Sequence, residues 1–159
     1  MAPSDFEDKL PELPISRHAN FVTRRGLGQL QARLADAESR LASLSIDESI
    51  ERDYLQRHIR WLCSRIESAI PVSVLDTPRD RVAFGATVEL LESGLRRSRY
   101  RIVGEDEADA DRGLLSWASP LARALTGAQV GDRISWRRAD GDVEVEVAEI
   151  DFGNETREG

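Results

Sequence analysis

The residues of this chain best placed to do chemistry are four carboxylates crowded into one short stretch: Asp47, Glu48, Glu51 and Asp53. Residues 45–48, Ser-Ile-Asp-Glu, read as a capping box, in which a serine starts a helix and a glutamate three residues on reaches back to it. Asp47 and Glu48 then sit in a first turn whose dipole favours negative charge. A cap uses one or two carboxylates, so the surplus presents negative charge at an exposed turn. Other chemistry has little material. Cys63 is the sole cysteine, which excludes an intrachain disulfide and any metal-ligand spacing of cysteines; it reads as a small, partly buried apolar residue. His18 and His58 are the two histidines, one in the N-terminal segment and one on the second arm, which leaves little material for a histidine-based triad. The acids of residues 105–109 lack EF-hand spacing and read as a turn.

What must position the acidic turn is written in the leucines. Leu27, Leu30, Leu34, Ala37, Leu41 and Leu44 alternate in steps of three and four, the a/d seam of a coiled coil, and Leu55, Ile59, Leu62, Ile66 and Ala69 repeat the pattern. With only a few residues between them, the two segments form an antiparallel pair. Arms of roughly 21 residues at 1.5 Å per residue project about 30 Å. Thr23 is the expected N-cap of the first arm, with Phe21 or Val22 packing back on its first turn. Tyr54, His58, Trp61 and Arg65 share a face of the second arm, which fits packing beside the seam better than stacking on a partner. A hairpin with an acidic tip has the form of a probe.

The rest of the chain divides by its periodicity. Residues 1–20 carry Pro3, Pro11 and Pro14 among mixed charges and are expected to form a disordered tail. The hairpin follows over 21–70 and a linker over 71–80, in which residues 72–75 pair briefly as an edge strand. The C-terminal domain spans 81–152. In it we expect a strand over 82–90, a turn at Ser93-Gly94, a strand through Tyr100 and Ile102, and a short strand over 114–117. A helix opened by Ser119 and Pro120 and closed by Gly127 comes next, then a hairpin turned at Asp140-Gly141. In the last strand the apolar parity slips from Val143, Val145 and Val147 to Ile150 and Phe152, which requires a β-bulge near residues 147–149. Arg96, Arg97, Arg99 and Arg101 read as charge protecting an edge strand. Residues 153–159 form a second tail. The fold class is α+β in two domains: a helical hairpin, then a small, mostly antiparallel sheet with one short helix.

Composition limits the function classes. A formal net charge of −7 argues against the chain wrapping nucleic acid by itself, because neutralising phosphates takes a surplus of cations. No apolar run approaches membrane-spanning length and the N-terminus lacks the pattern of a signal peptide, so the expected location is the cytoplasm, with no membrane partner.

Four blocks, in order, carry a resemblance: Phe84-Gly85-Ala86-Thr87-Val88; Tyr100-Arg101-Ile102-Val103-Gly104-Glu105-Asp106-Glu107-Ala108-Asp109; Ser119-Pro120-Leu121-Ala122-Arg123-Ala124-Leu125 with Gly127; and Val130-Gly131-Asp132. Together they resemble the bacterial Gre transcript-cleavage factors, GreA and GreB, and Thr23-Arg24-Arg25-Gly26 resembles the opening of that family's hairpin. The resemblance implies a coiled-coil hairpin joined to an FKBP-like domain. It implies docking on the rim of the secondary channel of RNA polymerase, near Ser119, Pro120 and Arg123, and entry of the hairpin toward the active centre and the nascent RNA 3′ end. There the acidic tip, Asp47, Glu48, Glu51 and Asp53, would position a magnesium ion and water, with Asp47 and Glu51 as metal ligands in the complex, so that the polymerase itself hydrolyses backtracked RNA. Two-metal phosphodiester chemistry needs its second ion held by hard oxygen donors. The chain would then work as a monomer, with no catalytic residue or cofactor of its own beyond the shared magnesium.

Two departures accompany the resemblance. Asp47 and Tyr54 keep the family's spacing, but Ile50 stands where the family motif carries a glutamate, and Glu51 comes one step and about 100° later on a helix. The arms are also about two turns shorter than the family's. Both favour a factor that occupies the channel and regulates or inhibits without stimulating cleavage. An FKBP-like fold by itself also admits a peptidyl-prolyl isomerase, but aromatic residues make up 6% of the chain and concentrate in no pocket-forming motif.

Overall fold

The computed structural model describes residues 10–93 and 95–153. They divide into two compact units. One joins the described residues up to Arg17 to Gly28–Ser68; the other joins His18–Leu27 to the chain from Ala69 onward. The tail expected over 153–159 and Gly94 of the expected Ser93-Gly94 turn lie, apart from Gly153 and Ser93, outside the described residues.

The first unit is built on α1 (Arg24–Ser43) and α2 (Ser49–Glu67), of 20 and 19 residues, each about 30 Å long at 1.5 Å per residue. Leu30, Ala37, Leu55 and Leu62 are buried between them, flanked by Leu34, Leu41, Leu44, Ile59 and Ile66. These are the seam positions of the sequence pattern, and the 3-4 alternation keeps them on one stripe of each helix. Arg40 pairs with Glu51 close to the turn and Arg33 lies over Trp61 farther from it, so the arms run antiparallel. The seam stops short of the pattern at the base of the hairpin, because Leu27 and Ala69 belong to the second unit. Cys63, expected to be partly buried, is exposed, since one step along α2 turns it about 100° away from its buried neighbour Leu62.

The expected tail over residues 1–20 needs correction from residue 10 onward. Residues 11, 12 and 14 hydrogen-bond to Arg57, Arg60 and Trp61 of α2. Beyond them, β1 (Phe21–Val22) pairs in parallel with β2 (Ile70–Pro71) in the second unit. Phe21 and Val22 are therefore strand residues, with the Phe21 ring against Phe84 and Trp117 and Val22 buried. The edge strand expected over 72–75 also lies two residues earlier, and Val74–Asp76 is a turn of 3-10 helix. Pro71 is tolerated because the ladder uses its neighbours: Ile70 N–H donates to Asn20 O at 2.8 Å and Val72 N–H to Val22 O at 3.0 Å.

The rest of the second unit is a five-stranded sheet. Its strands are β3 (Thr87–Glu92), β4 (Arg97–Val103), β5 (Leu114–Ser116), β6 (Arg133–Arg138) and β7 (Gly141–Asp151), in the order β5-β4-β3-β7-β6. All neighbours are antiparallel except β4 and β5, so the sheet is mixed. One face buries Val88, Leu90, Ile102, Val145 and Val147, covered by Leu121, Ala122 and Leu125 of α3 (Pro120–Leu125). The bulge falls where the parity slips: Glu89 opposes Glu149 and Leu90 opposes Val147, leaving Ala148 as the extra residue and returning Phe152 to the core.

Two local expectations shift and a third holds. The strand expected from residue 82 begins only at Thr87, because Gly85 turns the chain at φ +86° and its N–H donates to Ile102 O. The hairpin between β6 and β7 turns on Ala139 and Asp140, with Gly141 already paired to Arg138 at φ +122°. β5 pairs only with Arg101–Val103, so the half of β4 that carries Arg97 and Arg99 is an open edge, as the arginine pattern suggests; Arg97 pairs with Glu89 on the adjacent β3, and Arg99 with Asp151 on β7 at 3.5 Å.

Candidate functional site

The candidate site is the turn of residues 44–48 with the first turn of α2. Its chemistry begins with Glu48. The carboxylate of Glu48 accepts the Ser45 N–H at 2.7 Å and the Ser45 hydroxyl at 3.0 Å. Those bonds, the backbone one foremost, with Arg52 nearby, hold its carboxyl below the ordinary glutamate range. Half of the expected capping box is thus made, the glutamate reaching back to Ser45. The other half is not: Ser45 does not cap α2, which starts at Ser49 with Glu48 in the N-cap position and no side-chain cap. The bond to Ser45 closes a separate turn, and Arg52 N–H to Glu48 O at 3.0 Å is the first helical bond. The Arg52 guanidinium locks the turn from the other side, donating to Ser45 O at 3.0 Å.

The other acids point elsewhere. Glu51 faces Arg40 of α1 at 3.5 Å across the arms, both side chains more than half exposed. Asp47 and Asp53 are exposed. Among the described residues, no three His, Cys, Asp or Glu side chains converge to hold a metal ion. The turn also presents apolar surface. Ile46 and Ile50 are 86% and 74% exposed, and Tyr54 continues the same line at a spacing of four under the Arg57 guanidinium. The tip therefore carries one carboxylate committed to the turn, one in a cross-arm ion pair, two exposed to solvent, and an isoleucine pair beside them.

The expected partner-binding residues at α3 sit as the sequence arranges them. Ser119 caps the helix, its hydroxyl accepting the Ala122 N–H at 3.3 Å, and Pro120 occupies the first turn. Leu121, Ala122 and Leu125 enter the core while Pro120 and Arg123 stay exposed. The face through Tyr54, His58, Trp61 and Arg65 grades from exposed at Tyr54, through half-buried His58 and Trp61, to buried at Arg65. His58 stacks on Trp61 at 6.1 Å, and its pKa is lowered by partial burial and by Arg33 and Arg40; Arg65 is buried.

Sequence reasoning missed one constellation. Thr23 caps α1, accepting the Gly26 N–H at 2.9 Å, and its hydroxyl donates to the buried Glu107 carboxylate at 2.5 Å. A Cβ on Gly26 would stand 2.8 Å from that carboxylate. Glu107 lies in the acidic segment read as a plain turn. The signal available was the Thr-x-x-Gly spacing, which asks what must come close enough to forbid a side chain.

Comparison with known proteins bears on both units. Residues 77–152 match the family described as "Transcription elongation factor, GreA/GreB, C-term". Transcription elongation factor GreB of Xanthomonas axonopodis pv. citri is 40% identical over 161 residues, covering 89% of this chain and 96% of that protein. GreB of Neisseria meningitidis serogroup A is 38% identical over 116 residues, covering 67% of this chain and 71% of its own length. The crystal structure of GreA factor homolog 1 of Thermus thermophilus superposes with a TM-score of 0.43 at 22% identity, over 84% of this chain and 99% of that one, too loose a match to bear on the site. The matched sheet unit is that of a bacterial transcription elongation factor. The chain belongs to the GreA/GreB family.

Proposed function

We propose that this factor binds RNA polymerase, docking through an FKBP-like C-terminal domain with Ser119, Pro120 and Arg123 at the rim, and inserts its hairpin as a coiled-coil probe into the secondary channel toward the RNA 3′ end. In this reading it is a cytoplasmic monomer with no active site of its own, and any effect on RNA cleavage is exerted through the polymerase. Family membership supports the partner, and a hairpin about 30 Å long supports the reach.

Between stimulating cleavage and occupying the channel, the tip favours occupancy. The observation that carries this is the disposition of its acids. Glu48 is spent on Ser45, Glu51 faces Arg40, and Ile50 projects where a carboxylate would be wanted. A magnesium ion in the complex would have to draw on Asp47, Asp53, or Glu51 released from Arg40, together with polymerase ligands. The test is co-purification with RNA polymerase followed by a backtracked-complex assay. The expected result is association and altered elongation without RNA shortening. Shortening that appears with the protein and disappears in Asp47→Ala or Glu51→Ala would overturn the occupancy reading and restore magnesium positioning to the tip.

A further inference from the structure

We propose that the α2 arm carries a peptide-recognition site, centred on Arg60 and Trp61, for an extended acidic segment flanked by prolines, and that residues 11–14 are its occupant in cis. A partner polypeptide of the same chemistry gains the site by displacing them. This site is independent of the polymerase reading, since it lies along the arm and away from the tip turn.

The donors are arranged for such a ligand. Arg57, Arg60 and Trp61 stand at helical spacings of three and four, hence on one face of α2. Arg60 grips the Glu12 carboxylate in a fork: Nε lies 3.2 Å from both oxygens and Nη2 lies 2.7 Å from Oε1. Arg57 Nη1 donates to Pro11 O and Trp61 Nε1 to Pro14 O, each at 3.2 Å. A carbonyl at each proline and an acid between them are thus read by three side chains. Pro-x-x-Pro segments are favoured by such aromatic-and-charge sites because they are stiff before binding, and an indole N–H to a carbonyl fixes their register. The indole is itself held in place, His58 stacked on it at 6.1 Å and Arg33 lying 5.6 Å from its centroid.

The cis occupant fits loosely, which is what makes it displaceable. Pro11, Glu12, Pro14 and Ile15 all remain exposed, Ile15 at 51%. Direct ion pairs in water contribute little, so the segment is held by polar donors and by one half-buried apolar side chain, Leu13. Arg57 Nε is buried without an acceptor, a donor the cis segment leaves unused. Arg60 holds the Glu12 carboxyl below the ordinary glutamate range, as a forked pair requires.

The test uses the full chain with 15N-labelled tryptophan, the Trp61 indole signal being the one lost in Trp61→Phe. Glu12→Lys is expected to move that signal toward the position of a solvent-exposed indole while those of Trp117 and Trp136 stay in place. A synthetic peptide of residues 10–17 should then return it, and the same peptide carrying lysine at position 12 should not. The intact chain should bind the peptide several-fold more weakly than the Glu12→Lys chain, because its own segment competes at high effective concentration. Adding Arg60→Glu to Glu12→Lys should restore the signal without peptide. An unmoved Trp61 signal in Glu12→Lys, or a vacated chain that ignores the peptide up to millimolar concentration, overturns the site.

Discussion

A single methyl group separates two roles for Gly26. Glycine in a helix costs about 0.5–1 kcal/mol relative to alanine, so Gly26→Ala should stabilise a free-standing helix start. Here the new Cβ would meet Glu107 Oε2 at 2.8 Å. A carboxylate at the end of a flexible side chain normally yields cheaply, but this one is buried and tied to the Thr23 hydroxyl that also caps α1. Moving it gives up a buried bond to a charged group, on the order of 1.5–3 kcal/mol. The two effects oppose one another, and the larger one wins. Gly26→Ala is expected to lower stability in the intact chain and to raise it by roughly 0.5–1 kcal/mol in a Glu107→Ala background. Chemical denaturation of the four chains of that cycle reads the reversal; the same sign in both backgrounds would refute the account of why glycine stands there.

At the scale of elements, the β7 bulge offers the sharpest test of how packing follows pattern. Ala148 is the residue with no partner on β3, and it is what lets Val145 and Val147 on one side of it, and Phe152 on the other, all reach the core. Deleting Ala148 removes few contacts of its own, yet it forces either Phe152 outward or the valines out of register. Deletion should therefore cost several kcal/mol in thermal unfolding, against no more than about 0.5 for Glu149→Ala at the exposed neighbour. A deletion as mild as that substitution would mean the bulge is incidental. This element was legible beforehand because alternation is a strict period of two, and a slip in it has one explanation. The seam was legible for the same reason, its 3-4 spacing sustained over five turns of helix. α3 was legible from Ser119, Pro120 and Gly127, each with its own backbone chemistry. What stayed hidden were contacts with no period. β1 and β2 are two residues each, too short to show alternation. The segment through Pro11 and Pro14 reads as a tail because its partners, Arg57, Arg60 and Trp61, lie far along the chain. At the tip, the sequence showed four acids but not that Glu48 would turn back on Ser45 and move the helix start to Ser49.

For the whole molecule, the balance of charge decides how it must reach its partner. At −7 overall, the chain lacks the surplus of cations that neutralising phosphates would take. If the chain binds polymerase as proposed, recognition would rest on protein contacts, and α3 is the place where folding and binding can be separated. Its six residues divide cleanly. Leu121, Ala122 and Leu125 are buried, so Leu125→Ala should cost about 2–5 kcal/mol and weaken any interaction only by unfolding the unit. Arg123 is exposed and makes no ion pair among the described residues, so Arg123→Glu should leave the unfolding temperature nearly unchanged, within about 0.5 kcal/mol. If α3 lies at the rim of the channel, that same substitution should weaken association with RNA polymerase tenfold or more, and more so at low salt than at high, since a misplaced rim charge acts mainly through screened electrostatics. Binding titrations at two ionic strengths, run beside thermal unfolding, give both numbers. Equal affinity for the two proteins would remove α3 from the interface and leave the hairpin to account for binding alone.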